Sequence, residues 1–141
     1  MIYHHLADPE RALAEVRRVL RPGGRLVIRT PTLEDVAGYA FLECFPRAKA
    51  IDRQRMPPER AVRAAAAAAG LSVVDCRVVR QLFATDPGAC WTKLAKRGLS
   101  SLQMISDAEF EAGLADLRRW CERAPAAPVR EPLHLFVFER R

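Results

Sequence analysis

The chain has 141 residues, 50% of them apolar and 28% charged, and its 23 Lys and Arg against 17 Asp and Glu give a formal net charge of +6. That length and balance suit one domain with a real core and exclude a disordered or fibrous chain. No apolar run approaches the roughly 20 residues of a membrane-spanning helix. The opening MIYHHLADPE lacks the basic and apolar segments of a secretory signal, so a cytoplasmic protein is expected. The positive charge is almost all arginine and is spread along the chain. It comes without a stacking platform of aromatics, so nucleic acid is not the expected partner.

Asp8-Pro9-Glu10 reads as a helix start, with the Asp8 carboxylate capping free N–H groups and Pro9 at the first helical position. Ala12, Leu13, Val16, Val19 and Leu20 recur at helical spacing, and Pro22-Gly23-Gly24 ends the run. RLVIRT, Arg25 to Thr30, is a short strand, and Pro31 closes it. Residues 31 to 57 are irregular or weakly helical, with an apolar surface from Phe41, Leu42 and Phe45. Pro57-Pro58-Glu59 begins a helix that runs through six consecutive alanines to Gly70; its thin face suits close packing on a sheet.

A strand of β-branched residues follows, about Ser72 to Phe83. Asp86-Pro87 starts a helix to about Gly98. Ser106-x-x-Glu109 is a capping box, followed by an apolar stripe at Phe110, Leu114, Leu117 and Cys121. Residues 123 to 132 read as a proline-rich connector and Leu133 to Glu139 as a last strand. Helices between strands favour an α/β fold. Met1-Ile2-Tyr3 has the apolar character of a strand's last residues. The four cysteines, at 44, 76, 90 and 121, form no C-x-x-C and no zinc-like spacing with histidine, so free thiols and no metal are expected. Carboxylates stand singly in the sequence. His134, alternating with Leu133 and Leu135, reads as a residue lining one strand face.

The stretch YHHLADPERALAEVRRVLRPGGRLVIRT, Tyr3 to Thr30, resembles a segment of the class I S-adenosylmethionine-dependent methyltransferases. The residues that carry the likeness are His4, His5, Leu6, Asp8 and Pro9, then Arg18, Val19, Leu20, Arg21, Pro22, Gly23 and Gly24. In that family such a run joins the end of strand four to strand five. Ala69-Gly70-Leu71 resembles the turn before strand six, Leu133 to Glu139 resembles strand seven, and Arg97 to Trp120 resembles a substrate-side helical insertion. The resemblance thus implies the family's C-terminal half: a partial Rossmann-like α/β sheet of strands five, seven and six with flanking helices. Residues 1–141 would form a single domain, with residues 84–127 as the insertion. In the family, strand seven lies antiparallel between five and six.

Strand five would then be a sheet edge, expected to be covered by a second copy, by residues 31 to 56 or by the N-terminal segment. The resemblance also implies S-adenosylmethionine as cofactor and a small-molecule methyl acceptor. It places His5 as a catalytic base, Tyr3 and His4 beside the cofactor, and Arg29, Thr30 and Phe45 on the substrate side. Trp91 and Trp120 lie on the two insertion helices, where they either help form an apolar lid or serve the mutual packing of those two amphipathic helices. The family's glycine-rich cofactor loop has no counterpart here, since the chain has no G-x-G and Gly23-Gly24 is a turn after a helix. The two functions weighed are therefore a small-molecule methyltransferase represented by its acceptor-side half and a non-catalytic, dimerising or partner-binding remnant of that fold.

Overall fold

In the computed structural model, which describes residues 3–141, nine regular elements follow one another. They are α1 (Pro9–Val19), β1 (Arg25–Thr30), α2 (Pro46–Arg55), α3 (Glu59–Ala68), β2 (Leu71–Ala84), α4 (Pro87–Ala95), α5 (Ser100–Gln103), α6 (Asp107–Arg123) and β3 (Val129–Arg140). Short 3-10 turns occupy Tyr3–His5, Asp35–Gly38 and Ala40–Cys44. The strands form one sheet in the order β1-β3-β2. β1 is antiparallel to β3, with Leu26 opposite Phe138 and Ile28 opposite Phe136. This is the order expected of strands five, seven and six.

The helix starts follow the capping chemistry read from the sequence. Asp8 accepts from the Arg11 amide at 2.9 Å, and Asp86 from the Ala89 amide at 2.8 Å. At α6 the Ser106 hydroxyl accepts from the Glu109 amide while the Glu109 carboxylate accepts from the Ser106 amide, so two otherwise unpaired donors are satisfied. Gly23 sits at φ 73°, where a side chain is strained. From there its amide donates to the Arg140 carbonyl at 2.7 Å, which ties the end of β3 to the turn before β1.

Three boundaries differ from expectation. β3 starts at Val129, inside the expected connector, because Val129, Glu131 and Leu133 alternate as buried positions and extend the strand's inward face. α4 stops at Ala95, since Arg97 takes a left-handed φ of 51° and donates to the Leu102 carbonyl at 2.8 Å. Tyr3 lies in a 3-10 turn rather than a strand, and Met1 and Ile2 fall outside the described residues.

The chain divides into two compact units. The first comprises the residues up to Asp35 together with Met56–Val79 and Leu133–Arg141. Its core sets Leu13 of α1 and Val62, Ala65 and Ala66 of α3 against Phe136 and Phe138 of β3. The alanine run of α3 is thus buried on one side, as its thin face suggested. The second unit comprises Val36–Arg55 and Arg80–Pro132. There Phe41 stacks on Phe83 at 4.4 Å and Phe45 on Phe110 at 6.1 Å between ring centres.

Two predictions arise in the second unit. A Cβ built on Gly113 of α6 would lie 2.2 Å from Phe45 Cδ1 and 3.0 Å from the Cys44 carbonyl oxygen. Gly113→Ala is therefore expected to lower stability by about 1–3 kcal/mol through overpacking, read as a lower urea midpoint at unchanged slope. Asp52 is buried and accepts from the Ser101 hydroxyl at 2.9 Å. Burial raises its carboxyl above the ordinary range, against the pull of the Ser101 hydrogen bond and the Arg55 charge. A raised acid contributes nothing below its unfolded value and costs stability once pH rises through that value and then the folded one. Asp52→Asn keeps the acceptor for Ser101 and removes the charge. Its melting temperature relative to the parent is expected to rise between acidic and neutral pH, and a constant offset across that range would contradict the assignment.

Candidate functional site

The first unit holds two features around the end of β1. One is a cleft of about 380 Å³ between α1, β1 and the N-terminal turn, lined mainly by Tyr3, Leu6, Leu13, Leu26, Ile28 and Arg29. It follows the free side of β1, which is an edge of the sheet. Val27 on that edge is 59% exposed. The N-terminal segment lies beside it, with Tyr3 and Leu6 forming a wall of the cleft. Tyr3 is buried, and that burial, helped by the charge of Glu10, raises its phenol above the ordinary value. His4 and His5 follow on the same turn with ring centres 4.0 Å apart, and His5 is exposed.

The two residues at the end of β1 have different surroundings. Arg29 is exposed, whereas Thr30 is buried opposite His134, and its hydroxyl donates to the Pro31 carbonyl at 3.3 Å. Tyr3 and Arg29 thus share a cleft, with His4 and His5 next in sequence, and Thr30 faces inward. Phe45 lies in the second unit, where it is buried against Phe110. It forms the floor of a separate cleft of about 350 Å³ with Arg47, Glu109 and Asp116 among its lining. α4 packs on α6, as the mutual packing of the two insertion helices requires: the Trp91 indole N–H donates to the Leu114 carbonyl at 3.4 Å, and Arg118 lies over its ring.

The second feature of the first unit was not anticipated. His134 is buried, and its Nδ1 lies 2.8 Å from Asp35 Oδ2 and 3.1 Å from Thr32 Oγ1. Asp35, also buried, accepts from the Thr32 amide at 2.9 Å and the Thr32 hydroxyl at 3.0 Å. On the other side of the ring, Nε2 lies 3.3 Å from Glu59 Oε2. Glu59 Oε1 in turn accepts from Arg63 Nε at 2.7 Å and from the Cys76 thiol at 3.6 Å. The Arg63 hydrogen bond, foremost among several influences, holds the Glu59 carboxyl below its ordinary range. The carboxylates that stand singly in the sequence therefore meet in space on either side of one imidazole. The sole local signal was Thr32-x-x-Asp35, a side-chain-capped turn. The partner histidine is 99 residues further on.

S-adenosylmethionine can be tested against the first cleft. A bound nucleoside needs a carboxylate for its ribose hydroxyls and a glycine-lined backbone for close approach. The lining of this cleft is aliphatic and aromatic, and its ionic member is the cation Arg29. Gly23, the glycine nearest β1 with open space beside it, is held in the turn to Arg140. The residues of this cleft do not fit the cofactor.

Comparison with known proteins bears on the same segment. Residues 1–28 match the family model described as a methyltransferase domain. A 43-residue segment is 67% identical to an uncharacterized 37.1 kDa protein in transposon TN4556 of Streptomyces fradiae; it makes up 30% of this chain and 12% of that protein. Among solved structures, the "putative methyltransferase" of Bacillus halodurans C-125 aligns over 99% of this chain and 66% of its own, at a TM-score of 0.57 and 14% identity. A phosphoethanolamine N-methyltransferase 2 of Haemonchus contortus, in complex with phosphomonomethylethanolamine and S-adenosylhomocysteine, aligns over 98% of this chain and 31% of its own, at 0.45 and 14%. The chain therefore spans less than two thirds of each of these proteins. Its opening segment thus matches the methyltransferase-domain family model, and its sheet and helices form a partial methyltransferase fold.

Proposed function

We propose that this chain is the acceptor-side portion of an S-adenosylmethionine-dependent methyltransferase acting on a small molecule. The observation that carries the reading is the pairing of the family's sequence over residues 1–28 with a sheet in the order β1-β3-β2. In such a fold, ligands sit outside the carboxyl ends of the strands. His5 and Arg29 are both exposed, and Arg29 is the penultimate residue of β1. His5 takes the proton from an acceptor hydroxyl, and Arg29 holds an anionic part of the acceptor. The cofactor is gripped by residues other than those of the β1 cleft, whose apolar lining suits protein packing better than a nucleoside.

The test begins with the DNA preceding codon 1. An in-frame stretch encoding a glycine-rich loop, joined to this chain, is expected to transfer labelled methyl groups from S-adenosylmethionine to a small-molecule fraction. His5→Ala in that extended protein is expected to lower kcat by about 10²–10⁴-fold for a hydroxyl acceptor. Transfer unaffected by His5→Ala overturns the role of His5, and an extended protein that binds the cofactor without transferring methyl overturns the enzyme reading. The exposed β1 edge supports one alternative, a non-catalytic remnant that associates through this strand. A stable dimer by native mass measurement, with no methyl transfer, would establish it instead.

A further inference from the structure

We propose that Glu59, Cys76 and His134 form a binding site for one divalent cation of the zinc class. The donors come from the first turn of α3, from β2 and from β3, all within the first unit. Their ligand atoms lie within 4.8 Å of one another. Carboxylate, thiolate and imidazole together are a zinc donor set, and three protein donors leave the fourth tetrahedral position open to water.

The spacing suits that coordination. Bond lengths of about 2.0–2.2 Å to nitrogen and oxygen and about 2.3 Å to sulfur set tetrahedral edges of about 3.3 Å for N···O and about 3.6 Å for S···O. His134 Nε2 is 3.3 Å from Glu59 Oε2, which matches the N···O edge, and the Cys76 sulfur lies within 4.8 Å of both other donors. The histidine is also oriented for the task. Asp35 Oδ2 at 2.8 Å fixes the ring proton on Nδ1, and the Thr32 hydroxyl supports the same side. Nε2 faces a carboxylate oxygen, so a cation between the two would be bound by both. A carboxylate behind a ligating imidazole is the usual outer shell of a zinc-bound histidine.

Arg63 opposes a cation at the Glu59 carboxylate. It holds Glu59 Oε1 at 2.7 Å and competes with a cation for that carboxylate. Coordination through Oε2 leaves this ion pair in place but weakens the donor, so removing Arg63 should tighten binding.

The test is titration of the purified chain with Co²⁺, followed by displacement with Zn²⁺. One Co²⁺ per chain is expected, with the visible absorption of tetrahedral Co²⁺ and a near-ultraviolet sulfur-to-metal charge-transfer band, both abolished by Zn²⁺. Cys76→Ser should remove the charge-transfer band and weaken binding at least tenfold. Glu59→Gln should weaken binding and keep the band. Arg63→Gln should tighten binding severalfold, a result that a simple surface ion pair would not give. Glu59, Cys76 and Arg63 are partly exposed, and far-ultraviolet dichroism checks that each variant folds. A spectrum that stays that of aqueous octahedral Co²⁺, or a charge-transfer band that survives Cys76→Ser and so arises at Cys44, Cys90 or Cys121, overturns the site.

Discussion

Asp35→Ala is expected to destabilise the first unit by about 3–5 kcal/mol, as removal of one member of a buried polar network does. The carboxylate is 3% exposed and is approached by the Thr32 amide, the Thr32 hydroxyl and His134 Nδ1. Alanine leaves the Thr32 amide and the imidazole N–H in a dry interior, where an unsatisfied donor costs about 1–3 kcal/mol each. The hydroxyl can turn toward the imidazole at 3.1 Å and recovers part of the loss. Asp35→Asn retains one carbonyl oxygen and should fall between the parent and alanine. Urea denaturation followed by far-ultraviolet dichroism measures the difference. A loss for Asp35→Ala below about 1 kcal/mol, the range of an ordinary surface change, contradicts the account of this network.

The second large effect is expected at Phe136. Its ring is fully buried on the β3 face that also carries His134 and Phe138, with ring centres 5.5 Å and 5.8 Å away. These residues alternate along the strand, so they form one stack facing the first unit's core. Phe136→Ala removes the middle of the stack and is expected to cost about 3–5 kcal/mol, from lost burial and the cavity left behind. Because the imidazole loses one of its packing walls, the pairing of His134 with Asp35 should loosen as well. A double-mutant cycle between Phe136→Ala and Asp35→Ala should therefore show a coupling of about 0.5–3 kcal/mol. Strict additivity would mean that the stack and the polar network act independently.

Much of this architecture is legible in local sequence because its signals are local. Asp8-Pro9, Asp86-Pro87 and Ser106-x-x-Glu109 each act within one helical turn, and the structure shows each capping as read. The alanine helix and the strands on either side of it follow from periodicity. The sheet order came from the family resemblance of Tyr3 to Thr30 rather than from any property of the residues. What stayed hidden depends on long-range contact. β3 reaches back to Val129 because its residues find buried positions, which a proline-rich composition does not reveal. Burial pushes Cys90 up to about 12 and Cys44 up to about 11. Burial raises the Cys76 thiol as well, and Glu59 and Arg63 of α3 come beside it across a turn that sequence spacing does not fix. The imidazole of His134 is flanked by acids 99 and 75 positions away in the chain, so its surroundings exist only once the sheet has formed.

The central claim is that this chain supplies the acceptor side of a methyltransferase fold while its β1 cleft is no nucleoside site. Calorimetric titration of the purified 141-residue chain with S-adenosylmethionine tests it most directly, with the in-frame extended protein titrated in parallel. The account predicts no saturable heat for the chain alone and a one-to-one isotherm for the extended protein. A saturable isotherm for the chain alone, weakened by substitutions at Leu26 or Ile28 in the β1 cleft, would contradict it.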